Sequence, residues 1–215
     1  MAERTLAITS STAVVGVAIA RGDQVLAFEQ ITTERRHAEE ITPMVQRVLA
    51  EAGLCVADID RLAVDVGPGR FTGLRVGLAT IRTLAFALKI PVVGVSSLEI
   101  LAAGTSERPV MAVIDARRGE VFQQRFDVNG ATADPLVGPA ADLAARGEVG
   151  DIIVGDGADR YHDHYGSGVR IGVEPSAAVL AVLAHQREAI EGHLVEPKYL
   201  RDADVQINIK TRHNS

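Results

Sequence analysis

Along the chain, apolar residues switch between strand-like runs and helix-like spacing, and the switches mark the elements. Residues 4–8, 13–20 and 24–31 form three short apolar runs, separated by Thr9-Ser10-Ser11-Thr12 and Arg21-Gly22-Asp23, both of hairpin composition. Three strands joined as antiparallel hairpins are predicted. From His37 to Ala52 the apolar positions Ile41, Met44, Val45, Val48, Leu49 and Ala52 recur on one helical face. Pro43 fits that helix without loss of a bond only if it lies in the first turn. Gly53 stands where a left-handed residue would end it.

A strand at 61–66, a helix over 72–89, a short buried strand at 92–95 and a helix over 97–104 follow. Antiparallel strands ahead of strand–helix alternation predict a mixed sheet with helices on its faces. The second half is less regular. Residues 110–114 and 121–128 read as a hairpin, with a short helix near 140–146, a strand at 151–154 and an alanine-rich helix over 177–191. Gly104, Ser106 and Pro109 cluster at a boundary. This gives a first lobe over 1–105, a smaller second lobe over 106–201, and a polar tail over 202–215 expected to fray. No internal sequence repeat is visible.

The run Gly67-Pro68-Gly69-Arg70-Phe71-Thr72-Gly73-Leu74-Arg75-Val76-Gly77 lies between a strand and a helix. Glycines at this density serve a backbone that turns sharply and packs closely. The N–H groups at the helix start would face whatever fills the cleft. The spacing is neither that of a phosphate-binding P-loop nor that of a dinucleotide fingerprint. Read alone, the residues leave two alternatives, a structural turn and an anion-facing turn.

This run resembles the signature of the TsaB (YeaZ) family. His37-Ala38-Glu39-Glu40-Ile41-Thr42-Pro43-Met44 is similar to the family's H-S-x-x-L-x-P helix start. Residues 90–99, Ile114-Asp115-Ala116-Arg117-Arg118-Gly119-Glu120-Val121, and Glu196-Pro197-Lys198-Tyr199-Leu200-Arg201 match further family segments in family order. The resemblance implies an α/β fold of the ribonuclease-H-like, actin-like kind shared by sugar kinases, Hsp70 and actin, with a degenerate second lobe. It also implies a non-catalytic partner of TsaD that acts with TsaE in threonylcarbamoyl transfer to adenosine 37 of tRNAs reading codons that begin with A. The tRNA would then be met indirectly, through the complex. Partner binding in the family uses first-lobe helices, so His37, Glu40, Ile41, Met44 and Val45, with Leu78 and Arg82 on the next helix, are the expected interface. The same surface would serve a homodimer. For the aliphatic members, ordinary core is the competing reading.

Composition narrows the alternatives. Hydrophobic residues make up 47 % and charged residues 23 %, ordinary for a globular chain. The apolar stretches look too short or too interrupted to cross a bilayer, so no membrane association is expected. A single cysteine, Cys55, excludes an intramolecular disulfide and suits a cytoplasmic location. A net charge of −6 with three Tyr, five Phe and no Trp offers little for gripping RNA unaided.

Candidate chemistry is sparse. Catalytic members of the superfamily carry an aspartate in the first hairpin, where this chain has Thr9, a residue without the anionic oxygen that Mg²⁺ prefers. Weak nucleotide-facing candidates are Thr9, Ser10, Gly67, Gly69 and Thr72, and a nucleotide-binding regulator is the alternative function. An M22-type peptidase or a kinase is disfavoured by the loss of that aspartate and of the family enzymes' H-x-x-x-H pair, since Ile41 stands four residues after His37. Arg70 replaces a common family serine and would pair with an anion or face solvent. Arg75 matches a family arginine. Asp115, Arg117, Arg118 and Glu120 form a charged turn, and Gly155-Asp156-Gly157 a strand-end turn. His162-Asp163-His164 is the densest cluster of ligand types, but it lacks zinc spacing. No catalytic residue, metal or cofactor is expected.

Overall fold

The computed structural model describes residues 2–33, 36–148, 150–170 and 172–200. The predicted fraying tail over 202–215, and Arg201, lie outside them. The first half comprises β1 (Arg4–Thr9), β2 (Val14–Arg21), β3 (Gln24–Thr32), α1 (His37–Glu51), β4 (Arg61–Asp65), α2 (Phe71–Leu88), β5 (Val92–Val95) and α3 (Ser97–Ala103). Its sheet runs β3-β2-β1-β4-β5, antiparallel through the hairpins and parallel from β1 to β5.

The second half comprises β6 (Val110–Arg117), β7 (Glu120–Asp127), β8 (Gly130–Ala131), β9 (Leu136–Pro139), α4 (Ala140–Ala144), β10 (Ile152–Val154), α5 (Asp156–Arg160), α6 (His162–Tyr165), β11 (Val169–Arg170) and α7 (Ala177–His185). Its sheet runs β11-β10-β6-β7-β8, with β9 also paired to β7. An antiparallel hairpin whose first strand is followed by two parallel neighbours therefore occurs in both sheets. The sequence showed no such repeat.

Alternation in β1 assigns the layers. Leu6 and Ile8 face α1 and α2 in one core, while Ala7 faces the opposite layer with Ala18, Ala20 and Ala63. That second layer is α7, whose Ala177, Leu180, Ala181 and Ala184 are fully buried. The chain thus returns to the first sheet, and a division at residue 105 describes its order better than its packing. The predicted helix over 177–191 stops at His185. Arg61 Nη1 donates to Ala184 O at 2.8 Å and Arg187 O at 3.1 Å, and Ile190 then pairs with Val92 at the edge of β5.

α1 begins and ends where the apolar pattern placed it, and Gly53, at φ +67°, closes it. Leu54 N–H reaches Leu49 O at 2.9 Å and Gly53 N–H reaches Ala50 O at 3.1 Å, the paired bonds of a Schellman end. Pro43 differs from expectation. It lies inside the helix beyond the first turn, so the carbonyl it leaves without a helical donor belongs to the exposed Glu39. α2, at 18 residues and a mean hydropathy of 1.3, is long and apolar enough to cross a membrane by length and composition, contrary to the sequence expectation. Here one of its faces packs on the first sheet through Leu74, Leu78, Ile81 and Ala85.

The seat of α2 is a close approach without side chains. A Cβ on Gly69 would lie 2.2 Å from Ser11 O, one on Gly73 2.0 Å from Ser10 O, and one on Gly77 2.3 Å from Ser10 Oγ. Only glycine lets the helix start approach the β1–β2 loop this closely. Ala is the better helix former by about 1 kcal/mol, yet overpacking costs about 1–3 kcal/mol or more. Gly73→Ala is therefore expected to lower the thermal midpoint in calorimetry. A raised midpoint would mean that helix propensity, not the close approach, governs this position.

Candidate functional site

Four turns gather at the carboxyl ends of the parallel strands: Thr9–Thr12 after β1, Gly67–Arg70 after β4, the β6–β7 turn, and Gly155–Gly157 after β10. The first is interior. Thr9, Ser10, Ser11 and Thr12 are each at most 2 % exposed. Ser10 Oγ–H donates to Gly73 O at 2.9 Å, and Arg70 N–H donates to Ser11 O at 2.6 Å. Thr12 Oγ1 accepts from Val14 N–H at 3.1 Å and donates to Glu174 Oε2 at 3.3 Å. His37 Nε2 lies 2.9 Å from Thr12 O, and because a carbonyl only accepts, that ring nitrogen carries the proton.

Beneath this loop sits Asp65, 1 % exposed. One oxygen accepts from Gly67 N–H at 2.9 Å and from Ser97 Oγ–H. Burial nevertheless holds its carboxyl above the usual range, against the pull of these donors. Across the cleft, Asp156 Oδ1 accepts from Asp115 N–H at 2.9 Å. Burial, helped by the charge of Asp115, pushes Asp156 up to about 6, while Arg70 draws it back. Glu174 rises to about 7, first through burial and then through Asp156, with the Thr12 hydrogen bond and Arg70 opposing. Arg70 therefore belongs to the cleft and feels both carboxylates.

Asp115 is a hub, 7 % exposed. Its Oδ1 accepts from Arg117 N–H at 2.9 Å and from Tyr161 O–H at 3.4 Å. Its Oδ2 lies 3.5 Å from Arg117 Nη1 and 3.6 Å from Arg160 Nη1.

The remaining sequence candidates fall as follows. Thr9, Ser10, Gly67 and Gly69 sit where turn and loop press together, and Thr72 is exposed on the first turn of α2. Ile41, Met44, Val45 and Leu78 are buried in the core beneath α1 and α2, so the expected interface residues offer no apolar surface. His37 is likewise inside, Glu40 pairs with Arg36 at 2.9 Å, and Arg82 donates to Val195 O. The structure instead exposes a second stripe of α2: Phe71, Arg75, Ala79, Thr83 and Phe86. Phe86 is 88 % exposed, and at the other end the Arg75 guanidinium lies 3.7 Å over the Phe71 ring, itself 5.4 Å from Tyr199. The signal for this stripe was present in the sequence, because α2 is apolar on more than one face.

Cys55 is exposed, its Sγ 3.0 Å from Asp58 Oδ2, in the loop that leads to β4. His162 pairs with Asp163 at 3.1 Å on the surface, and among the described residues no three His, Cys, Asp or Glu side chains converge to hold a metal.

Residues 29–153 match the TsaD family, tRNA N6-adenosine threonylcarbamoyltransferase. The tRNA threonylcarbamoyladenosine biosynthesis protein TsaB of Bacillus subtilis is 31 % identical over 94 % of this chain and 95 % of its own. A Mycobacterium tuberculosis protein is 43 % identical over 63 % of this chain, which spans 64 % of that relative's length. Among solved structures, YeaZ from Pseudomonas aeruginosa superposes with a TM-score of 0.81 at 30 % identity, covering 92 % of this chain and all of that one. The activator of 2-hydroxyisocaproyl-CoA dehydratase from Clostridium difficile, with bound ADPNP, gives 0.52 at 12 % identity over 86 % of this chain and 94 % of its own. That likeness shows the actin-like fold alone.

The cleft carboxyls carry a signed pH dependence. Asp156 and Glu174 titrate higher folded than unfolded, so the folded state holds protons that the unfolded chain has released. Their contribution is complete below about pH 4 and is lost as pH rises through about 6 and 7. Glu174→Gln and Asp156→Asn are therefore expected to melt higher than the parent at pH 8 and level with it near pH 4, by calorimetry. The double variant should gain less than the sum, because the two charges interact. Equal gaps at both pH values would contradict this.

Proposed function

The chain belongs to the TsaB (YeaZ) family, and on that footing we propose that it is the non-catalytic partner of TsaD in forming threonylcarbamoyladenosine at position 37 of tRNAs that read codons beginning with A. In this reading TsaD supplies the transfer chemistry, TsaE joins the bacterial complex, and the assembly works in the cytoplasm. The observation that carries it is the second face of α2. A helix of 18 residues that buries one stripe on its own sheet and exposes another, apolar at both ends, is an unpartnered packing surface. Ala79 and Thr83 lie at the middle of that stripe and are short enough for another helix to approach closely. The same stripe would pair two copies of the chain when TsaD is absent.

Two measurements test this. A purified synthase that makes the threonylcarbamoyl donor from threonine, bicarbonate and ATP is combined with TsaD, TsaE and tRNA, with and without the chain, and the modified nucleoside is counted by mass spectrometry. Product is expected only with the chain present. Equal product in both, with TsaD shown active, would overturn the reading in favour of a nucleotide-binding regulator. Docking is tested by Ala79→Arg and Thr83→Arg, each expected to weaken TsaD binding by more than about tenfold in titration, since either buries an unpaired charge. Unchanged affinity would move the interface elsewhere. Charged residues at Ile41 and Val45 make no such test, because both positions lie in the core and the chain would unfold.

A further inference from the structure

We propose that Asp65 is a neutral carboxylic acid in the folded chain at neutral pH, and that its Oδ2–H donates to Ser11 Oγ, which makes it a proton-held clasp between the β1–β2 loop, the glycine turn and α3. The clasp stands on its own geometry, apart from the pairing with TsaD. Asp65 ends β4 and is 1 % exposed, as are Thr9 and Ser11. Its Oδ1 accepts from Gly67 N–H at 2.9 Å and from Ser97 Oγ–H, and Ser97 N–H donates back to Gly67 O at 2.8 Å. Its Oδ2 is buried without a partner, and so are Ser11 Oγ and Thr9 Oγ1. β1 and β4 run parallel with Ile8 beside Val64, so Thr9 and Asp65 are the next neighbours across the pair. The hydroxyl and the N–H of Ser11 are both close enough to act on the Asp65 carboxyl.

An ionised carboxylate only accepts, and a charged oxygen buried without a partner is costly. A proton on Oδ2 turns it into a donor, and Ser11 Oγ is an acceptor in want of one. One proton therefore satisfies two of the buried atoms.

Charge favours the same state. A buried carboxylate stays ionised when a cation pairs with it, and the ionisable side chains on the surrounding elements are engaged elsewhere. His37 meets Thr12 O, Glu174 accepts from Thr12 Oγ1, and Glu99 pairs with Arg187. The charge of Arg70 draws on Asp156 and Glu174. Lys198, whose N–H donates to Val66 O, has its side chain exposed. Burial is the largest influence on the Asp65 carboxyl, and it favours the neutral form against hydrogen bonds from Ser11, Ser97 and Gly67.

The tests use the full chain. In the infrared difference between the parent and Asp65→Asn at neutral pH, the parent is expected to show the carbonyl band of a carboxylic acid. A carboxylate band in its place would overturn the proposal. Asn presents an N–H where the acid presents its O–H, so Asp65→Asn is expected to fold. Folded parent keeps a proton that the unfolded chain, with an ordinary Asp pKa of about 3.9, has released. The advantage of Asp65→Asn in denaturant unfolding should therefore grow about tenfold in the folding equilibrium for each pH unit between about pH 6 and pH 8. A gap that is flat over that range means an ionised Asp65 in the folded state and contradicts the proton. Asp65→Ala should let the Arg70 amide exchange by local opening, while Asp65→Asn restores its protection; equal protection in both variants would contradict the clasp. Stability that rises with sodium or potassium at constant ionic strength, in the parent and not in Asp65→Asn, would overturn the proposal in favour of a bound cation.

Discussion

The hydrogen bond from the Arg70 amide to Ser11 O, with three glycines closing on the same loop, is the interaction on which the rest of this molecule depends. It joins two turns that are far apart in sequence and brings backbone against backbone without a side chain between them. Once it is made, the β1–β2 loop is interior and the axis of α2 is fixed. The polar groups of the loop are then cut off from water, where a donor or acceptor left alone costs about 1–3 kcal/mol, and Thr9 Oγ1 is buried there without a partner. Ser10 finds Gly73 O, Thr12 finds Glu174, and the Thr12 carbonyl finds His37 at the start of α1.

Two consequences follow at opposite ends of this interaction. Toward the second sheet, the closure sets Glu174 and Asp156 near one another in a poorly solvated cleft, so their ionisation is resisted and Arg70 offsets only part of the cost. Toward solvent, fixing α2 by its glycine edge turns Phe71, Ala79, Thr83 and Phe86 outward. One backbone approach thus sets both the electrostatics of the cleft and the surface offered to a partner.

Much of this was legible in the sequence. The order of elements in the first half followed from clean apolar periods, the glycine run marked a close approach, and its resemblance to one family carried the fold. What stayed hidden has physical reasons. α7 is almost uniformly apolar, so no stripe told which sheet it would cover. Ile41, Met44, Val45 and Leu78 satisfy the apolar pattern of a helix face whether that face meets the chain's own sheet or a partner. The stripe on α2 drew no attention because the helix's other face, with Leu74, Leu78, Ile81 and Ala85, carries the stronger apolar pattern. Glu174 is a single acid in a loop, and nothing in its neighbourhood marks it as the partner of Thr12. The doubled sheet order is a property of topology alone and has no repeated residues in the sequence to announce it.

Native-state hydrogen exchange at the Arg70 amide tests the central interaction most directly. If the glycine turn and the β1–β2 loop are locked together, this amide exchanges only through global unfolding, as slowly as those of Leu62 and Val64 in the interior strand β4. Exchange by a local opening, orders of magnitude faster than in that strand, would show that the two turns part in the native protein and would contradict the account.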